Sequence, residues 1–204
     1  MKKIILISQP EPGVLKRLAS EFFTDQLKGK LFGYLPCEGN SPDNDKYTPL
    51  WRDKVVEKGG EFRFIDNSKP YEDSGTERKL VESSDYLMVP GGNTFRLLNN
   101  LRKSGIFGSI RKFFQKEECY YLGMSAGAII LAPTIQFSTR SEFSFGADAS
   151  NVGLKDLSGL GVINFEPAVH FNPEEDTEAL EAYKKRSKYE VKPISNDEVV
   201  ILTL

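Results

Sequence analysis

The sequence predicts an α/β fold: a doubly wound, mostly parallel sheet with helices on both faces. Three observations carry this. Short runs rich in Ile, Leu and Val alternate with segments of helical periodicity as far as Pro133, the pattern of strand–helix–strand units. Two of those runs end in glycine turns, Gly91-Gly92 and Gly123-Met124-Ser125-Ala126-Gly127. The chain of 204 residues carries no internal repeat, low-complexity tract or linker, so residues 1–204 are expected to form one domain with a sizeable core.

The elements follow in order. Lys3–Ser8 is a buried strand, ended by the loop Gln9–Gly13. Val14–Leu27 has helical spacing, with Leu15, Leu18, Phe22 and Phe23 on one side. Leu31–Pro36 is a second strand, and the polar stretch Glu38–Lys46 a loop. Tyr47–Lys58 reads as a helix stopped by Gly59-Gly60. Glu61–Ile65 is a third strand, Thr76–Ser83 a short helix and Asp85–Val89 a fourth strand. Asn93 or Thr94 then caps a helix to Lys103, broken by Gly105. Ile106–Gln115 is a further amphipathic helix, and Tyr120–Met124 a fifth strand leading into an apolar helix.

Beyond Pro133 the pattern weakens. Ile135–Gly153 reads as a hairpin or a long loop on the rim, and Leu154–Leu160 as a short turn of helix. Val162–Val169 is a strand leading to His170. Pro173-Glu174-Glu175-Asp176 opens a helix through Arg186, acidic first and basic last, which suits the macrodipole. Tyr189–Ile194 and Glu198–Leu204 read as a closing strand pair joined by Ser195-Asn196-Asp197.

Composition narrows the function classes. Lys plus Arg number 27 against 29 for Asp plus Glu, a formal charge of −2, which leaves no electrostatic footprint for nucleic acid or an anionic membrane. The opening Met1-Lys2-Lys3 and Ile4–Ile7 superficially resemble a signal peptide. The apolar run is too short for one, and Ser8-Gln9-Pro10 ends it. No stretch approaches a membrane span. Cys37 and Cys119 lie far apart without metal-ligand spacing, the usage of reduced thiols in a cytoplasmic protein. No metal and no cofactor is expected. Pro90-Gly91-Gly92-Asn93 matches neither dinucleotide nor P-loop patterns.

The chemistry centres on Gly123-x-Ser125-x-Gly127, the spacing of a nucleophile elbow. Such a turn strains the serine backbone and demands small neighbours two positions away on each side. It leaves the hydroxyl at a helix N-terminus. A plain strand-to-helix turn built from small residues is the other reading. In a doubly wound sheet ligands bind at the carboxyl ends of the strands, and Gly91-Gly92 and Ser125 both sit there. A serine nucleophile needs a base, and the only histidine in the chain is His170. A histidine with a purely structural hydrogen bond is the alternative. A third group would hold the imidazole, and Asp197 or Glu198 lies beside the last strand. The oxyanion would need two backbone donors, taken as the N–H of Ala126 and one from Gly91-Gly92.

Four segments together resemble the peptidase E (alpha-aspartyl dipeptidase) family, whose relatives include cyanophycinase and whose fold is that of class I glutamine amidotransferase-like proteins. They are Val89–Leu98, Gly123–Ala128, Ala132–Ile135 and His170-Phe171. The resemblance implies a cytoplasmic serine hydrolase cleaving a small peptide or peptide-like amide, including dipeptides with N-terminal Asp. It implies Ser125 as nucleophile, His170 as base, and Gly92 with Ala126 as oxyanion hole. Gly91, Asn93 and Arg140 are expected to face the substrate.

Three departures from the family pattern bear on this. Pro90 replaces the first of three glycines. The acid is Asp197 or Glu198 near the C-terminus, or Glu142 in the loop after the nucleophile helix, with Asp197 preferred for its distance from the last strand. The arginine that peptidase E places after the histidine to hold the substrate's aspartate is replaced by Asp176-Thr177-Glu178. A carboxylate there would repel an acidic substrate, leaving Arg140 as the substitute. The alternative is a catalytically inactive member that binds a small molecule or a partner. The expected assembly is a monomer or homodimer.

Overall fold

The computed structural model describes residues 1–38 and 47–204. The loop expected over Glu38–Lys46 lies, from position 39 on, outside the described residues. The strands are β1 (Lys2–Ile7), β2 (Leu31–Tyr34), β3 (Glu61–Phe64), β4 (Tyr86–Val89), β5 (Cys119–Met124), β6 (Phe165–Val169), β7 (Glu190–Ile194) and β8 (Val199–Thr203). Six of them form a sheet in the order β3-β2-β4-β5-β1-β8. All neighbours in it are parallel except β8, which runs antiparallel to β1. A separate parallel pair joins β6 to β7.

The sheet is parallel because its central strands are apolar on both faces, so both must be covered. Alternation along each strand divides them. Ile4, Leu6, Leu87, Val89 and Tyr121 enter one core; Ile5, Ile7, Tyr86, Met88 and Leu122 enter the other. The second face is covered by α1 (Pro12–Glu21) and α2 (Thr48–Glu57), through Val14, Leu18, Trp51 and Val55. The first is covered by α3 (Gly75–Ser83), α4 (Thr94–Ser104) and α5 (Ile106–Phe113), through Val81, Leu97, Leu98, Leu101 and Ile110. Helix α4 begins where expected: the Asn93 side chain accepts from the Arg96 N–H at 3.0 Å, and Gly105 closes it at φ 75°.

Two expectations for the second half are corrected. The last two strands do not pair with each other. Strand β7 extends β6 in parallel, and β8 crosses to the edge of the main sheet beside β1. Residues 154–160 form no helix; Thr134 and Ser158 make an isolated antiparallel bridge there. Of the two readings of the stretch 135–153, hairpin or rim loop, the structure has the rim loop, with one 3₁₀ turn at Gln136–Thr139.

That loop is fastened by Asp176, which is 1% exposed and precedes α7 (Thr177–Lys184). Its carboxylate accepts from the N–H and hydroxyl of Ser144 at 2.7 and 3.0 Å, and from the Asn172 N–H at 2.8 Å. Asp176 therefore holds the rim loop against the chain just after His170 instead of facing a substrate. Among the described residues no helix is long and apolar enough to cross a membrane.

Candidate active site

Strand β5 ends at Met124, and Ser125 turns the chain into α6 (Ala126–Ile129) with φ 49° and ψ −111°. A side chain at positive φ is strained. Here the strain is held by a hydrogen bond from the Ser125 N–H to the Ile7 carbonyl at 2.9 Å and by tight packing of the turn. A Cβ on Gly127 would stand 1.9 Å from the Val89 carbonyl oxygen, and one on Gly91 would stand 3.1 Å from the Ser125 Cβ. The two glycine turns thus meet at one point on the rim. The helix after Ser125 is shorter than expected.

Ser125 and His170 are the only non-glycine residues at positive φ among those described. His170 follows β6 at φ 59°. Its backbone N–H donates to the Ser8 hydroxyl at 2.9 Å, and that hydroxyl donates to the Ile194 carbonyl at 2.8 Å. Ser8, at the end of β1, so pins the ends of β6 and β7 to the main sheet. The result is a distance of 2.9 Å between His170 Nε2 and Ser125 Oγ.

The other ring nitrogen corrects the expected third residue. His170 Nδ1 lies 2.9 Å from Oδ1 of Asn196, one position before Asp197. An amide oxygen only accepts, so Nδ1 carries the proton and Nε2 presents its lone pair to the serine hydroxyl. Asp197 is exposed and accepts from the Ser195 hydroxyl at 2.7 Å. Glu198 accepts from the Ser195 N–H at 3.3 Å, and Glu142 pairs with Arg186 at 2.8 Å. The turn after β7 is too tight to aim two successive side chains at one ring. The first position points inward and the second into solvent.

His170 is 8% exposed, and its burial pulls the imidazole below its ordinary value. The Asn196 hydrogen bond and the negative charge of Asp148 oppose that shift without overcoming it. The ring therefore stays neutral at pH 7, the form that accepts a proton. Part of the cover is Phe145, stacked on the imidazole with centroids 3.8 Å apart and planes at 12°.

The remaining expected residues divide. The N–H of Ala126, the first residue of α6, follows the serine, whose Cβ packs against Gly91. Gly92 has φ 144° and packs so closely on Cys37 that a Cβ would meet its sulfur at 2.7 Å. Cys37 itself is buried, its thiol donating to the Asn93 carbonyl at 3.0 Å. Asn93 is not free for substrate: its oxygen caps α4 and its amide donates to the Ala149 carbonyl at 3.0 Å. Arg140 is also turned away. Its guanidinium lies 4.7 Å from the centre of the Tyr183 ring, and it does not line the pocket at Ser125.

That pocket is small, a cavity of about 20 Å³ that opens to solvent and has room for only a short group. Ile129, Phe137 and Val169 form its apolar wall; Thr94, Ser138 and Asp148 add polar groups. Asp148 accepts from the Thr94 N–H at 2.9 Å and so also caps α4. Among the described residues no cluster of three or more His, Cys, Asp or Glu side chains could hold a metal ion. Sequence reasoning missed Ser8, Phe145, Asp148 and Asn196. Two signals were present: Ser8 ends a strand on the ligand-binding rim, and Asn196 adjoins the preferred Asp197.

The fold and site together define an α/β protein that carries a serine–histidine pair at the carboxyl rim of its sheet. The chain belongs to Peptidase family S51, whose model matches residues 4–203. The resemblance to peptidase E read from the motifs is thereby borne out. The chain is 25% identical over 182 residues to an uncharacterized peptidase of Listeria monocytogenes, covering 88% of this chain and 85% of that one. It is 26% identical over 140 residues to peptidase E of Haemophilus influenzae, covering 66% and 61% of the two chains. A crystal structure of a candidate peptidase E protein from Listeria monocytogenes EGD-e superposes with TM-score 0.73 at 24% identity, over 100% of this chain and 99% of that one. The structure of a peptidase from an acI-B1 actinobacterium gives TM-score 0.69 at 19% identity, over 99% and 83%. The α/β fold with its mostly parallel sheet is shared with these proteins.

Proposed function

We propose that this peptidase-family chain is a serine peptidase that hydrolyses small peptides through an acyl-enzyme on Ser125. The observation that carries the reading is the 2.9 Å contact between Ser125 Oγ and His170 Nε2. As Oγ attacks the scissile carbonyl carbon, its proton passes to Nε2 and the carbonyl oxygen gains the negative charge. Backbone N–H groups of Ala126 and Gly92 receive that charge. The tetrahedral intermediate collapses, the C–N bond breaks, and Nε2–H delivers the proton to the departing amine. Water then attacks the ester with His170 again as base, and Ser125 regains its hydroxyl. Asn196 keeps Nδ1 protonated throughout. It does so without the charge that a carboxylate would place beside the imidazolium.

That missing charge also favours a second reading, a family member that binds peptides without turning them over. One experiment separates the two. Purified wild type should release free amino acids from at least one dipeptide in a panel with N-terminal Asp, Asn, Ser, Glu and Gly. Ser125→Ala should lower that rate by roughly 10³-fold or more with an unchanged circular dichroism spectrum. Equal rates in both proteins would exclude the serine mechanism.

A further inference from the structure

Two residues that line the pocket beside Ser125 carry hydroxyls that the fold leaves unpaired. Thr94 Oγ1 and Ser138 Oγ are buried, their residues 1% and 5% exposed, and neither has a hydrogen-bond partner among the described residues. Buried unpaired hydroxyls are costly, so two around one small pocket point to a ligand that supplies the partners. The third polar group is Asp148, whose Oδ2 is occupied by the Thr94 N–H. Its charge reaches His170, against which Phe145 is stacked. No Arg or Lys lines the pocket among the described residues. Arg140 lies against the Tyr183 ring, with its buried Nε unpaired among the described residues.

A carboxylate and two hydroxyls without a cation define a chemistry. An acidic side chain entering this pocket would meet Asp148 with nothing to neutralise it, and like charges at close quarters repel. An ammonium group would be attracted. A short side chain carrying a hydroxyl or amide would pair with Thr94 and Ser138, while Ile129, Phe137 and Val169 cover its carbons.

We propose that this pocket selects a peptide whose first residue has a free α-ammonium, held by Asp148, and a small uncharged hydrogen-bonding side chain, received by Ser138 and Thr94. The inference rests on the serine-peptidase reading and sharpens it: Ser-Leu and Asn-Leu are substrates of choice, and Asp-Leu is not. Rejection of an analogue that leaves polar groups unpaired is the stronger form of discrimination.

The test uses the wild-type protein with Ser-Leu, Asn-Leu, Asp-Leu and the N-acetylated form of Ser-Leu. p-Nitrophenyl acetate serves as an independent acylating probe of Ser125. The expected kcat/KM for Ser-Leu or Asn-Leu exceeds that for Asp-Leu and for N-acetyl-Ser-Leu by at least tenfold. Asp148→Asn keeps an acceptor for the Thr94 N–H, so it tests charge without removing the cap. It should raise KM for the free dipeptides about tenfold, a larger loss than for N-acetyl-Ser-Leu. Ser138→Ala should narrow the gap between Ser-Leu and a Gly-Leu control.

A preference for Asp-Leu overturns the inference, as does an Asp148→Asn loss equal for free and acetylated substrates, which would mark a purely electrostatic role. In both cases nitrophenyl acetate still acylates Ser125 and the peptidase reading stands. Absence of acylation by nitrophenyl acetate overturns the peptidase reading and this inference together.

Discussion

The imidazole of His170 lies flat against the ring of Phe145, 3.8 Å between centroids, although Phe145 is itself 62% exposed. An aromatic side chain that remains largely in water is thus spent on covering the one histidine. The cover desolvates the imidazole, the largest cause of its lowered pKa.

Removal of that cover has a defined sign. Phe145→Ala admits water to the ring and raises the His170 pKa toward its ordinary value of about 6.5. The acid limb of kcat/KM should move to higher pH, with activity lost mainly below neutrality. An acid limb unmoved by the substitution would show that Phe145 does not set the basicity of His170.

The same shift makes stability depend on pH. His170 is held neutral in the fold, so below about 6.5 the unfolded chain binds a proton that the folded chain resists. This contribution to stability is fully present above the ordinary imidazole value. It is lost progressively as pH falls from there through the lowered folded value. Urea midpoints should therefore decline between pH 7 and pH 5 in the wild type, and less so in His170→Asn. Parallel declines in both proteins would assign the effect to other groups.

Asn196 is tested by two substitutions. Asn196→Ala frees the imidazole to rotate and change tautomer, and should cost on the order of 10²-fold in kcat/KM. Asn196→Asp places a carboxylate on Nδ1, which raises the His170 pKa and moves the acid limb upward. A rate unaffected by Asn196→Ala would remove this residue from the machinery.

The architecture of the rim was largely legible in the sequence, because close approach leaves a mark on residue type. Only glycine fits where Gly127 meets the Val89 carbonyl. Only strands apolar on both faces, such as Ile4–Ile7, must be covered from two sides. The pairing of the last strands was not legible. Two strands joined by a short turn read as a hairpin, whereas β7 pairs with β6, held to the main sheet by the Ser8 hydrogen bond to the Ile194 carbonyl, and β8 pairs with β1. The third residue was missed by one position because register in a turn is set by backbone angles. A carboxylate carries no advantage over an amide in reaching Nδ1. Arg140 was drawn toward the substrate by its charge, whereas the structure uses its flat guanidinium against Tyr183.

Ser8 and Gly127 probe the scaffold. Ser8→Ala leaves the His170 N–H and the Ile194 carbonyl without their shared partner, a cost of about 1–3 kcal/mol. The loss should appear in urea unfolding and in a reduced kcat, since the histidine loses its anchor. Gly127→Ala forces a methyl group into the Val89 carbonyl and should cost about 3 kcal/mol or more. Wild-type stability in either variant would contradict the packing described.

The central claim is that Ser125 is a nucleophile activated by His170, and a covalent trap reads it most directly. After incubation with a fluorophosphonate, intact-mass and peptide mapping of the wild type should show one adduct, on Ser125, formed far more slowly in His170→Ala. A wild type that stays unlabelled, or a label as fast without the imidazole, would contradict the account.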